Sequence, residues 1–166
     1  DAVIATDLLA PIHLTQHCLP HLTAWRGSAI IAISSVAGRA GVPLRTAYCA
    51  AKHGIIGYMD ALRAETEEAF GLQVLTILPG SIATDVARNA LTGHGEKQGH
   101  SDPQIDGGIP PAECAARIVS ALRDGARECI IAQGVEAEIA RLRHDDPESL
   151  FGLTAKLGAR LAAPAA

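Results

Sequence analysis

Aromatic side chains are scarce in this sequence, at 3% of 166 residues, which removes the stacking platforms that single-stranded nucleic acid needs. Basic runs are missing too, and the net charge is −4; nucleic acid is therefore not an expected partner. The four cysteines, Cys18, Cys49, Cys114 and Cys129, form no CxxC pair, and no histidine accompanies them at metal-ligand spacing. They read as free thiols in a reducing cytoplasm, and no metal is expected. No apolar run reaches the length of a membrane span, and no secretory leader is recognisable. What the chain does have is 48% hydrophobic and 19% charged residues, the composition of a folded domain with a sizeable core. Its first residue is Asp1 rather than Met, close to the start of a helical pattern, so the chain is expected to be the later part of a longer polypeptide.

Apolar residues recur at helical spacing from about residue 2 to 24, with Pro11 and Pro20 as expected kinks. His13, His17 and His21 share one face of this helix. That spacing suits a metal, but no carboxylate or cysteine completes a ligand set, so a polar stripe or a face pairing with its copy in a dimer is expected. The Ile-rich run Ala29 to Ser34 is expected to be a strand buried on both faces of a parallel sheet. A second helix should span 46–70, with Ala47, Ala50, Ala51, Gly54, Ile55, Tyr58, Ala61 and Leu62 as its apolar stripe. Asp60, Arg63, Glu67 and Glu68 should face solvent, and Gly71 should cap the helix.

Further strands are expected at 73–78 and 128–132, with a short helix near 85–91 between them. Residues 92–109 hold five glycines and read either as a lid or substrate loop or as plain disordered surface. A helix beginning at Pro110-Pro111 should bury Ala112, Cys114, Ala115, Ile118, Val119 and Leu122. Two amphipathic helices should follow, at 135–143 and 147–161, the second capped by Asp146 with Pro147 behind it. Leu150, Phe151, Leu153, Leu157 and Leu161 should meet the core or a partner ahead of a membrane surface, because basic residues are few. Strand, helix, strand in this order makes the fold class α/β, with a right-handed βαβ unit of a parallel sheet.

The stretch that carries chemistry runs from Ser34 to Lys52. Ser35 lies in the loop at the carboxyl end of the first strand, where open α/β sheets bind ligands. Tyr48 follows thirteen residues later, and Lys52 stands one helical turn beyond it on the same face. An ammonium beside a phenol favours the phenolate and brings its titration nearer neutrality. A serine hydroxyl next to that phenol can hold a carbonyl or alcohol oxygen. The expected chemistry is proton transfer in an alcohol/carbonyl interconversion. Ser35 as a hydrolase nucleophile has no GxSxG elbow and no histidine in a triad role.

The segments AIIAISSVAG, YCAAK and LPGSIATD together resemble the short-chain dehydrogenase/reductase family, and TDLLAPIHLTQHCLPHL is similar to the helix before the serine strand in that family. VPLRTAY, VARNALTG and PPAECAARIVSAL resemble a branch that includes membrane-associated and hydroxysteroid-type members. The resemblance implies the carboxyl half of a doubly wound Rossmann-type parallel sheet, three strands with flanking helices. Residues 1–134 would be the catalytic portion of that domain, without its nucleotide-binding portion, and 135–166 a helical extension. It implies Tyr48 as general acid/base, Lys52 as the group that lowers its pKa and holds the nicotinamide ribose, and Ser35 as the residue that orients the substrate oxygen. Pro79, Gly80, Ile82 and Thr84 would lie along NADP or NAD, and Val42 to Leu44 with Asn89 to Ile109 would shape the pocket for a small alcohol or ketone. A homo-oligomer is implied as well.

Two departures from the family pattern stand out. The position usually held by asparagine, twenty-eight residues before Ser35, is Asp7. Its charge should oppose phenolate formation and tighten the hold on Lys52. No GxxxGxG turn precedes the site, so the chain alone is expected to be inactive, with its first strand left as an unpaired apolar edge. The competing expectation is a catalytically inactive relative that serves as a binding or scaffold protein.

Overall fold

Each apolar run expected as a strand is one. The computed structural model describes residues 2–92 and 95–162; the readings placed on Asp1, on Gly93 and on 163–166 lie outside them. Strands β1 (Ala29–Ile33), β2 (Gln73–Pro79) and β3 (Glu128–Ile131) pair in parallel in that order, with Ile33 beside Ile77 and Pro79 beside Ile131. Helices lie on both faces of this Rossmann-type sheet, as the α/β reading requires.

The expected first helix is a continuous run of three pieces: α1 (Ala2–Ile4), a π turn (Ala5–Leu9) and α2 (Ala10–Thr23). Pro11 has no N–H to give the Asp7 carbonyl four residues back, and the Ala10 N–H reaches five residues back to Ala5. The proline is thus accommodated by a π turn. Helix α3 (Thr46–Phe70) ends at Gly71, whose φ of 69° is the left-handed cap the sequence predicts. Gly54 of α3 faces Leu8, and a Cβ there would meet Leu8 Cδ1 at 2.9 Å. This glycine costs helix propensity but lets the π turn lie directly on α3.

Short helices α4 (Val86–Asn89) and α5 (Pro103–Asp106) follow β2, then α6 (Pro111–Arg123), α7 (Gly134–Asp145) and α8 (Pro147–Ala162). One core packs Ala32 and Val74 against Ile55, Met59 and Leu62 of α3, with Leu8 and Ile12 beside them. The other packs Leu75, Ile77 and Ile131 against Ile109 and α6.

Several expectations need correction. β1 is not buried on both faces: Ile31 and Ile33 share a face with Leu75 and Ile77 yet remain 38% and 49% exposed, because α6 covers β2 and β3 instead. The outer edge of β1 is unpaired among the described residues. The buried stripe of α3 is Cys49, Ala51, Ile55, Met59, Leu62 and Thr66, while Ala47, Ala50 and Ala61 face out. Alanines fit either face, so they misplaced the stripe. Arg63 is not on a solvated face. It donates to the carbonyls of Val74 (3.0 Å) and Arg127 (3.1 Å), tying α3 to β2 and to the entry of β3. Glu67 pairs with Arg127 at 2.6 Å. In α6 the buried residues are Cys114 and Ala121, and Val119 is exposed. In α8 Leu150 reaches the core, while Phe151, Leu153, Leu157 and Leu161 stay exposed.

Leu75 is fully buried in the central strand. Leu75→Ala is expected to destabilise the protein by about 2–5 kcal/mol, read from denaturant unfolding of the full-length protein. A loss near zero would mean that this core is not what holds the sheet.

Candidate active site

Ser35, Tyr48, Lys52 and Asp7 come from three places in the chain, the loop after β1, the start of α3 and the π turn, and meet beyond the carboxyl ends of β1 and β2. Ser35 has extended backbone and caps a one-turn 3-10 helix, Val36–Gly38, accepting the Ala37 N–H at 3.1 Å. Its hydroxyl donates to the Pro79 carbonyl at 3.3 Å, which links the loop after β1 to the end of β2. The neighbouring Ser34 hydroxyl donates to the Lys52 carbonyl at 2.9 Å and fastens the same loop to α3. Gly38 sits in that seam: a Cβ would lie 2.5 Å from Ser34 Oγ and 2.7 Å from the Lys52 carbonyl oxygen.

Tyr48 is in the first turn of α3, near enough to Ser35 for the serine to influence its phenol. The Lys52 ammonium lies 5.5 Å from its ring centroid, donates to the Ile33 carbonyl at 3.3 Å and pairs with Asp7 at 3.5 Å. The π turn, seated on Gly54, is what brings Asp7 within reach. The phenol's pKa runs opposite to the sequence expectation. Burial pushes it above the ordinary tyrosine value; the Ser35 hydroxyl and Arg45 pull it down, and the Asp7 charge pushes it up.

The second group of expected residues follows β2. Gly80 donates its N–H to the Ile131 carbonyl at 2.9 Å. Ile82 forms an isolated parallel bridge with Ile109, and the Thr84 hydroxyl donates to the Ile82 carbonyl at 3.3 Å. Ala83, Thr84, Asp85, Arg88 and Asp106 line an open cavity of about 240 Å³. Arg45, the residue just after the first of the two stretches expected to shape a pocket, pairs with Asp102 of the second at 3.9 Å. Leu44 holds a left-handed φ of 64° and is 84% exposed, four residues before Tyr48. A leucine held in this conformation and turned to water is not a core position.

Sequence reasoning singled out neither Arg45 nor Glu136. Glu136 accepts the Ser81 N–H at 2.7 Å and the Gln104 side-chain amide at 3.0 Å. The available signal was position: a carboxylate just past the carboxyl end of a strand.

Residues 1–94 match the model of the short chain dehydrogenase family. Two relatives match almost the whole chain. A "Dehydrogenase/reductase SDR family protein 7-like" of Anopheles gambiae is 33% identical over 96% of this chain and 50% of its own length. A "Dehydrogenase/reductase SDR family member 7B" of Bos taurus is 34% identical over 92% of this chain and 47% of its own. The chain belongs to the short-chain dehydrogenase family. It spans about half the length of the curated relatives it matches. The fold agrees with solved structures of short-chain dehydrogenases. One from Burkholderia cenocepacia J2315, solved in complex with NADP, has a TM-score of 0.70 at 24% identity, covering 97% of this chain and 58% of that one. Another, from Burkholderia phymatum in complex with NAD, has a TM-score of 0.70 at 17% identity, covering 88% of this chain and 57% of that one.

Proposed function

We propose that the full-length protein is a nicotinamide-dependent oxidoreductase that interconverts a small alcohol and its carbonyl. The observation that carries this is the gathering of Ser35, Tyr48 and Lys52 at one set of strand ends, with Ser35 on the Pro79 carbonyl and Lys52 on the Ile33 carbonyl and 5.5 Å from the Tyr48 ring. The donors there fit the nicotinamide half of NADP or NAD: an ammonium at Lys52 suits ribose hydroxyls, and the Thr84 hydroxyl with exposed backbone after β2 suits an amide and a phosphate. The bound dinucleotide would supply or take up the hydride.

This chain's residues handle the proton and the oxygen. Ser35 donates a hydrogen bond to the substrate oxygen in place of the Pro79 carbonyl. Tyr48 gives its phenolic proton to that oxygen as the carbonyl carbon is reduced, and takes a proton back in the reverse direction. A phenol held above its ordinary pKa stays protonated at neutral pH, so the resting site is set for reduction. Lys52 stabilises the phenolate left behind. The exposed Leu44 beside this centre favours an apolar alcohol or ketone.

Asp7 tunes the acid. Its carboxylate raises the Tyr48 pKa, so Asp7→Asn should lower it. Reduction needs the phenol and fails as pH rises through its pKa; oxidation needs the phenolate and fails as pH falls through it. Both limbs of the pH–rate profiles should therefore move to lower pH in Asp7→Asn. Profiles that coincide with wild type would remove Asp7 from the account.

The test of the function is nicotinamide absorbance, followed with the full-length protein over a panel of apolar ketones and alcohols with each of NADH, NADPH and their oxidised forms. Substrate-dependent turnover with one cofactor is expected. Absence of turnover across the panel, in a protein shown to bind the cofactor, would favour a non-catalytic role.

A further inference from the structure

Glu136 is a carboxylate that the proposed chemistry leaves unused. It stands in the first turn of α7, just past β3, and reaches across to the loop leaving β2. Its Oε2 accepts the Ser81 N–H at 2.7 Å, and its Oε1 accepts the Ser81 hydroxyl at 2.8 Å. Oε1 also accepts the Gln104 side-chain amide of α5 at 3.0 Å. One carboxylate thereby joins the loop after β2, the stretch expected to shape the pocket, and the C-terminal helices. Gln133 adds a second tie by donating to the Gly107 carbonyl at 3.3 Å.

The neighbours of Glu136 are fitted to it. Ser81 is buried, so its N–H and hydroxyl need partners, and Glu136 serves both. Gly80 leaves room for the carboxylate: a Cβ there would collide with Glu136 Oε2 and sit 3.0 Å from Ala132 Cβ. The Ser81 carbonyl in turn accepts the Ile109 N–H at 3.0 Å, and Ala83 donates to the Ile109 carbonyl at 3.0 Å. The register of residues 80–84 against 107–109 therefore follows from where Ser81 is held.

We propose that Glu136 is a positioning residue for the nicotinamide half of the cofactor. By holding Ser81 it fixes the backbone that carries Ile82 and Thr84, and by holding Gln104 it sets α5 against them. The claim rests on the reading of residues 79–84 as the nicotinamide side. Because both Ser81 bonds end on one carboxylate group, at 2.7 and 2.8 Å, they hold the loop at two points rather than one.

The test uses the full-length protein as wild type, Glu136→Ala, Glu136→Gln and Leu62→Ala, the last a destabilised control in the opposite core. Two quantities are read: amide hydrogen exchange without cofactor, and the dissociation constant for NADH or NADPH by fluorescence. Glu136→Ala should exchange faster at 81–84 and 105–109 and bind the reduced cofactor roughly tenfold more weakly. Glu136→Gln should recover part of the affinity, since its amide oxygen can still accept the Ser81 N–H. Leu62→Ala should lower the melting temperature and leave the dissociation constant near wild type. Wild-type binding by Glu136→Ala, or an equal loss in Leu62→Ala, overturns the positioning role. A wild type that binds neither NADH nor NADPH overturns the nicotinamide reading, and with it this role.

Discussion

Tyr48→Phe is expected to lower turnover by about 10²–10⁴-fold, the contribution of a positioned acid or base. The change removes one hydroxyl and keeps the ring, so the packing of the first turn of α3 should survive. The phenol is half-buried against Ser35 with Asp7 and Arg45 within electrostatic reach. No other described side chain in that cluster offers a proton from the same place: Lys52 is turned to Asp7 and the Ile33 carbonyl, and the Ser35 hydroxyl to the Pro79 carbonyl. Cofactor affinity should therefore stay within a small factor of wild type, and the loss should appear in kcat. A loss confined to KM would mean that Tyr48 binds and does not transfer a proton.

Gly38→Ala is expected to be nearly as damaging, for a geometric reason. The new methyl would sit against Ser34 Oγ, the Ile56 side chain at 2.7 Å and the Lys52 carbonyl oxygen at 2.7 Å. Two of these are side-chain atoms that can give way, but the carbonyl belongs to the backbone of α3. The Ser35 loop and α3 must then move apart, and that seam sets the approach of Ser35 to Tyr48. Overpacking of this kind costs about 1–3 kcal/mol of stability, and a displacement near 1 Å at a reacting centre can cost about 10²-fold in rate. The expected result is a folded protein with a lowered melting temperature, near-normal cofactor affinity and kcat down by about that factor. Wild-type kcat in Gly38→Ala would show that the loop and helix need no fixed separation.

Much of this was legible in the residues. The Ile-rich runs announced parallel strands, Gly71 announced the end of α3, and the thirteen-residue spacing from Ser35 to Tyr48 pointed to the candidate site. Three things were not, and each depends on neighbours distant in sequence. The open face of β1 depends on which strands α6 covers, and the periodicity of Ala29 to Ile33 carries no such information. The tying role of Arg63 depends on the Val74 and Arg127 carbonyls, and its spacing on the helix reads as solvated. The direction of the Tyr48 shift depends on burial, and proximity to Lys52 argued the other way. Asp7 shows the converse: the sequence foresaw its grip on Lys52 and its opposition to the phenolate, and the π turn made by Pro11 supplies the means.

The central claim is that Tyr48 moves the proton while hydride passes between a nicotinamide and a carbonyl carbon. The most direct measurement is single-turnover oxidation of bound NADH or NADPH by an apolar ketone, compared between full-length wild type and Tyr48→Phe with both sites saturated. The account predicts a wild-type transient that slows as pH rises through the Tyr48 pKa, and a Tyr48→Phe transient slower by about 10²-fold or more with no such pH dependence. Equal transients, or a Tyr48→Phe protein that keeps the wild-type pH dependence, would contradict it.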